Sequence, residues 1–287
     1  MPGVKGRVAI VTGSGGGLGR QHALLLARRG ATVVVNDLGG ARDGTGGGCQ
    51  MADAVVTEIT DGGGEAVASY DDVASAEGGA AIVQTALDAF GRVDVIVNNA
   101  GILRDVTFAK MAAEQWDAVL KVHLYGTYHV TRAAWPHLRE QRYGRVIVTT
   151  STSGLYGNFG QSNYGAAKLG VVGLINTLAF EGRKDRITAN AVAPIAATRM
   201  TEDVMPPEAL AALDPAYVSP LVAHLASEEC TDSGEVVLAG GGHYARVHLM
   251  QATGHRFDHV PDVEELAAHW DEIMDMAGAE LGKPPTG

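Results

Sequence analysis

Tyr164 and Lys168 stand four positions apart in a stretch with helical periodicity, and Ser151 precedes the tyrosine by thirteen. On a helix that spacing stacks a phenol and an ammonium on one face. Alcohol oxidation and carbonyl reduction both need a group that takes or gives a proton near neutrality, and free tyrosine, with a pKa of about 10, is poorly matched to the task. An ammonium about 5 Å away at an effective dielectric near 20 stabilises the phenolate by about 3 kcal/mol, worth roughly two pKa units. Lys168 is therefore expected to lower Tyr164. A Tyr-x-x-x-Lys pair alone is common on surface helices, so its meaning depends on the motifs around it.

The second candidate is the glycine loop from Thr12 to Gly19, which follows an apolar run and opens a helical pattern. Glycines let the backbone turn sharply and approach a pyrophosphate, while a helix N-terminus offers unpaired N–H groups and a positive dipole end. Gly13, Gly17, Leu18 and Gly19 are the loop's candidate contacts to a dinucleotide. Asp37 closes the second apolar run, where a carboxylate accepts hydrogen bonds from the adenosine ribose hydroxyls and repels a 2′-phosphate. That pattern selects NAD. A turn aspartate ahead of Gly39 and Gly40 is the structural alternative, and Arg20 and Arg42 offer charge to the phosphate of NADP.

These residues need a scaffold that brings them to one edge. Short β-branched runs recur at Val8 to Thr12, Thr32 to Asn36, Ala66 to Ser69, Val93 to Asn98, Arg145 to Thr150, Ile187 to Val192 and Glu235 to Ala239. Helical patterns separate them: Leu18 to Arg29, Ser75 to Phe90, Ala113 to Leu138, Asn163 to Glu181 and Ala216 to Ala226. This alternation predicts an α/β fold, a Rossmann-type doubly wound parallel sheet of about seven strands with a helical C-terminal extension. Residues 1–240 read as an NAD-binding domain, and 241–287 as an extension of that domain, with an amphipathic helix from Val263 to Met276. Leu266, Trp270 and Ile273 form one stripe on it and are expected to be buried against this subunit or a neighbour.

Composition excludes several classes of function. The net charge of −11, with no Lys/Arg cluster, lacks the footprint of a nucleic-acid or anionic-membrane binder. Two cysteines are too few for a disulfide framework or a cysteine zinc site. The ten histidines are dispersed in sequence and no HExxH occurs, so no metal site is expected. No apolar stretch approaches the ~20 residues of a membrane span, and the N-terminus lacks the pattern of a signal peptide, so the cytoplasm is the expected compartment.

Taken in order, Thr12-Gly13 with Gly17 and Gly19, Asn98 to Gly101, Ser151, Tyr164 with Lys168, and Pro194 resemble the short-chain dehydrogenase/reductase family from Arg7 to about Gly241. The resemblance implies that Tyr164 is the acid/base, that Lys168 lowers its pKa and holds the nicotinamide ribose, and that Ser151 orients the substrate oxygen. It implies further that Asp72 and Val73 face the adenine. Asn99, Ala100 and Gly101 would pass beneath the cofactor, and Pro194, Ile195 and Thr198 would flank the nicotinamide amide. The family's common helix-four asparagine is replaced by His123, which puts a four-residue proton relay in doubt. Within the family, Asn36 to Gly40, Asn98 to Asp105, His123, Tyr156 to Gln161 and Arg199 to Thr201 are similar to the (3R)-hydroxyacyl-CoA dehydrogenase parts of type 2 peroxisomal multifunctional enzymes. That likeness implies an acyl-CoA thioester as the small-molecule substrate, and the family implies a homodimer or homotetramer. A steroid or other secondary-alcohol dehydrogenase and a non-catalytic NAD-binding regulator are the alternatives.

Overall fold

The computed structural model describes residues 3–196 and 213–282, and the chain separates into two compact units, Met1–Ala245 and Arg246–Gly287. In the first unit β1 (Val8–Thr12), β2 (Thr32–Asn36), β3 (Glu65–Ser69), β4 (Val95–Asn98), β5 (Gly144–Thr149), β6 (Ile187–Pro194) and β7 (Val236–Gly240) form a parallel array in the order β3-β2-β1-β4-β5-β6-β7. The runs Val-Ala-Ile-Val-Thr in β1 and Val-Ile-Val-Asn in β4 are buried throughout, as a sheet covered on both faces requires. An eighth strand, β8 (His243–Val247), adds to the expected seven and lies beside β7. Gly241 and Gly242, with φ of +55° and +81°, supply the two left-handed residues of a two-residue hairpin turn. Because β8 is mostly exposed, it lacks the apolar run that marks the inner strands.

On one face of the sheet lie α1 (Gly17–Arg28) and α2 (Gln50–Asp61), whose Ala23, Leu26, Ala52, Val55 and Ile59 pack on the β1, β2 and β4 side chains. On the other face α3 (Ala76–Phe90) packs against the helix that leads into β5. Ser75 caps α3 by accepting from Gly78 N–H at 3.0 Å, and Gly91 ends it in the left-handed conformation. The expected single helix from Ala113 to Leu138 is instead α4 (Ala113–Leu120), a π-turn at Lys121–Tyr125, and α5 (Gly126–Glu140). Such a turn inserts one extra residue into a helix and is frequent at functional sites. Next come the short α6 (Thr152–Tyr156) and the long α7 (Ser162–Gly182), then α8 (Ser219–Leu225), which joins the α1 face.

In the second unit β9 (Met250–Gln251) pairs antiparallel with β10 (Glu280–Leu281). The expected helix from Val263 to Met276 is broken into α9 (Val263–Ala268) and α10 (Trp270–Met274), because His269 leaves helical angles at φ −103°, ψ 10°. Leu266 and Trp270 are 40% and 51% exposed and Ile273 is half-buried, so the stripe is not buried within this chain alone. Two of the ten histidines meet here with a carboxylate: His255 and His269 lie 4.1 Å apart ring to ring, and His255 Nδ1 is 3.0 Å from Glu272 Oε2. No helix among the described residues is long and apolar enough to cross a membrane.

Candidate active site

The carboxyl ends of the parallel strands meet where the strand order turns from β1 to β4, the point at which an open α/β sheet leaves a crevice. Two loops line it. Gly13 is left-handed at φ +62°, and a Cβ there would lie 2.7 Å from Ala100 Cα; at Gly19 a Cβ would lie 2.2 Å from the Gly13 carbonyl oxygen. Thr12 Oγ1 accepts from the N–H groups of Asn99 (3.0 Å) and Ala100 (3.1 Å), and Asn99 Nδ2 donates to the carbonyls of Thr12 and Gly13, each at 3.1 Å. Asn99 therefore braces the glycine loop. No acidic residue occupies the first turn of α1 and no side chain caps it at Gly16, which leaves its positive end suited to an anion.

Asp37 is engaged more closely than its spacing suggests. Its Oδ2 accepts from Gly15 N–H at 2.8 Å and its Oδ1 from Gly39 N–H at 2.7 Å. A carboxylate has about four acceptor positions, so lone pairs remain for ribose hydroxyls. Arg20, one of the two arginines weighed for a 2′-phosphate, is paired with Glu58 at 2.5 Å. Leu18 packs partly on the core, Val73 is buried against Gly126, and Asp72 Oδ1 accepts from Ala74 N–H at 2.9 Å in the turn before α3. Gly17 is left-handed at φ +51°. Pro194 ends β6, and Ile195 N–H donates to the Ala239 carbonyl at 2.8 Å. Thr198 lies outside the described residues.

Ser151, Tyr164 and Lys168 come together between β5, α6 and α7. Ser151 is the N-cap of α6, its Oγ accepting from Ser153 N–H at 3.1 Å, which leaves the hydroxyl proton to give. Burial pushes the Tyr164 phenol up to about 12; a hydrogen bond with Ser151 pulls the other way and the Asp105 charge adds to the rise. Burial also brings Lys168 down to about 7, and its Nζ donates to the Thr149 carbonyl at 2.5 Å, 5.6 Å from the Tyr164 ring centroid. The expected lowering of Tyr164 by the Lys168 charge is not seen in this pocket, where desolvation favours the neutral form of both groups. A positive charge docked beside them would lower both values.

One positioning group escaped the sequence reading. Asn163, fully buried, accepts from Tyr164 N–H through Oδ1 at 2.7 Å and donates through Nδ2 to the carbonyls of Arg104 and Gln115, each at 3.2 Å. It thereby fixes the start of α7 to the loop after β4 and to α4. The signal was an asparagine at a helix start directly before the tyrosine. Gly101, expected to pass beneath the cofactor, also makes room for His123, since a Cβ there would lie 2.3 Å from His123 Cε1. His123 sits in the π-turn, edge-on to Tyr164 with ring centroids 5.1 Å apart, and burial, then the Lys168 charge, hold it well below the usual histidine range.

With this geometry in hand, the family described as short chain dehydrogenase matches residues 7–209. A short-chain type dehydrogenase/reductase of Mycobacterium tuberculosis is 65% identical over 98% of this chain and 98% of its own length. Peroxisomal multifunctional enzyme type 2 of Mus musculus is 50% identical over 98% of this chain, and the chain spans 38% of that enzyme's length. Among solved structures, a 7α-hydroxysteroid dehydrogenase complexed with NADH and 7-oxo glycochenodeoxycholic acid superposes with a TM-score of 0.75 at 26% identity, over 84% of this chain and 95% of the other.

Proposed function

The chain belongs to the short-chain dehydrogenase family, and from that premise we propose that it interconverts (3R)-hydroxyacyl-CoA and 3-ketoacyl-CoA with NAD. Membership makes it an oxidoreductase using NAD or NADP. The observation that carries the reading is the meeting of Ser151, Tyr164 and Lys168 between β5, α6 and α7, on the same sheet as the glycine loop after β1.

The crevice suits the cofactor: glycines let the loop after β1 and the loop after β4 approach closely, the uncapped end of α1 would meet the pyrophosphate, and Asp37 would take the ribose. Bound there, NAD supplies the acceptor or donor of the hydride. Ser151, its oxygen held by the α6 cap, directs its proton at the substrate oxygen. Tyr164 gives its phenolic proton to that oxygen in reduction and takes it back in oxidation. A phenol near 12 holds its proton at neutral pH, so oxidation would require a positive charge docked beside it, such as that of the nicotinamide ring, to lower it. Lys168, anchored on the Thr149 carbonyl, holds the ribose at the same time.

The acyl-CoA assignment is supported by the motif likeness from Asn36 to Thr201 and by the mouse relative, similar along nearly the whole chain. Likeness to the 7α-hydroxysteroid dehydrogenase favours a steroid alcohol as the second reading. A homo-oligomer is supported by the exposed apolar surface of the second unit, and a reducing compartment such as the cytoplasm by the free thiols of Cys49 and Cys230. Rates with NAD and NADP against short, medium and long 3-ketoacyl-CoAs and a ketosteroid test the reading, with light scattering for the assembly. Highest kcat/KM for a 3-ketoacyl-CoA with NADH supports it; preference for the ketosteroid or for NADPH, or a monomeric mass, overturns the corresponding part.

A further inference from the structure

Among the described residues, one group of histidine and carboxylate side chains brings three ligand atoms within 4.8 Å of one another: His255, His269 and Glu272, all in the second unit. His269 and Glu272 are three positions apart at the bend between α9 and α10, where Ile273 N–H donates to the His269 carbonyl at 3.0 Å, so the two side chains leave one helical turn on the same side. His255 comes from the irregular stretch ahead of α9. Its Nδ1 is 3.0 Å from Glu272 Oε2, and its ring centroid lies 4.1 Å from that of His269.

The imidazoles are set for a further ligand. His269 Nδ1 donates to the Glu265 carbonyl at 2.9 Å, which fixes the tautomer of the neutral ring and leaves Nε2 as a bare lone pair. A bond of this kind from the second ring nitrogen to a backbone carbonyl is what orients histidine ligands on metals. Phe257 stands edge-on to both rings, 4.5 Å from His255 and 5.3 Å from His269. The second unit also needs something to hold it. None of its residues from 246 to 282 is buried within this chain, α9 and α10 included, and so small a unit without a core of its own is ordinarily stapled by a disulfide, a metal or a partner. It contains no cysteine, which rules out the disulfide.

We propose that His255, His269 and Glu272 bind a divalent transition-metal ion, zinc by the character of the donors, which staples the stretch from Ala252 to Pro261 onto the α9–α10 bend. Two imidazoles and one carboxylate suit zinc and not magnesium or calcium, which take oxygen ligands. Bonds of about 2.0–2.1 Å at tetrahedral angles set ligand atoms about 3.3 Å apart, close to the present His255–Glu272 contact, and rotation of these incompletely buried side chains brings in the third. With its proton on Nε2, His255 offers the Nδ1 lone pair to the ion in place of the hydrogen bond to Glu272, and a water completes the four ligands. The role is structural and independent of the proposed hydride transfer.

Full-length protein stripped with EDTA and titrated calorimetrically with zinc chloride should take up one ion per chain with a Kd of about 10 μM or below. His255→Gln and His269→Gln should each weaken binding at least about tenfold, while His259→Gln, at a neighbouring exposed histidine, should leave it within about twofold. Hydrogen exchange across residues 252–276 of the wild type should slow on adding zinc, and should not in His269→Gln. Weaker binding by the wild type, a smaller loss in either of the two variants, a loss as large in His259→Gln, or exchange indifferent to zinc would each overturn the proposal. X-ray absorption at the zinc edge of the loaded wild type decides the matter even if a variant misfolds. Two imidazoles in the first shell support the site; one imidazole or an all-oxygen shell overturns it.

Discussion

Replacing Asp37 with alanine removes the acceptor of two backbone amides and the charge proposed to meet the adenosine ribose in one change. Gly15 and Gly39 lose hydrogen bonds of 2.8 and 2.7 Å. At about 1 kcal/mol for each in a half-buried site, the variant should be less stable by about 2 kcal/mol. The effect on cofactor choice is larger before screening: a 2′-phosphate about 4 Å from the carboxylate meets about 4 kcal/mol of repulsion per unit charge at an effective dielectric near 20. Solvent and salt around a partly exposed carboxylate reduce this to about 1.5–3 kcal/mol, or a factor of ~10–100 in the ratio of kcat/KM for NAD to that for NADP. Steady-state kinetics with both cofactors at fixed ionic strength measure the ratio, and thermal unfolding measures the loop. A ratio unchanged within twofold, in a variant whose lower Tm shows that the glycine loop has lost its clamp, would refute the reasoning and leave Asp37 as a structural brace alone.

Tyr164→Phe should bind NAD nearly as well as wild type and lose at least the ~10²–10⁴ in kcat typical of general acid–base catalysis; retention of more than about a tenth of turnover would dismiss the phenol as the proton carrier. His22, buried between α1 and α8 and bonded through Nδ1 to Ser219 Oγ at 2.8 Å, is held by burial at a pKa of about 3. Its folded value lies below its unfolded one, so it adds no penalty above pH 6.5 and costs stability as pH falls, by about 2 kcal/mol at pH 5, levelling off below pH 3. Urea unfolding of wild type and His22→Asn at pH 7.5 and 5 should show a pH effect smaller in the variant by about that amount; equal pH effects would contradict it.

The strands were legible because their signal is strong. Val8–Thr12 and Thr32–Asn36 stand in the structure with the boundaries read from sequence, since a fully buried parallel strand shows as an unbroken β-branched run. α2 carried its apolar positions at Ala52, Val55 and Ile59, yet it begins at a cysteine that caps nothing, after a run of glycines, and went unread. The spacing of Tyr164 and Lys168 identified the pair. It carried no information about dielectric, which is set by distant residues folded around them, so the direction of the tyrosine shift came out reversed. His123 was visible as an unusual residue, but its arrangement with the Ile102 peptide arises from a loop folded back from 21 positions away.

The π-turn at Lys121–Tyr125 also bears on which length changes this lineage can accept. One residue of an α-helix turns the chain by about 100°. The turn absorbs its extra residue, so Val130, Ala134 and Leu138, all fully buried, keep their face; losing that residue would relax the turn to α-helix and displace His123 from beside Tyr164 instead. Adding one residue to the exposed stretch from Asp43 to Gly48 would disturb no such face. Descendants of this chain that keep His123 beside Tyr164 should therefore vary in length ahead of α2 and hold the count between Ala113 and Glu140 constant.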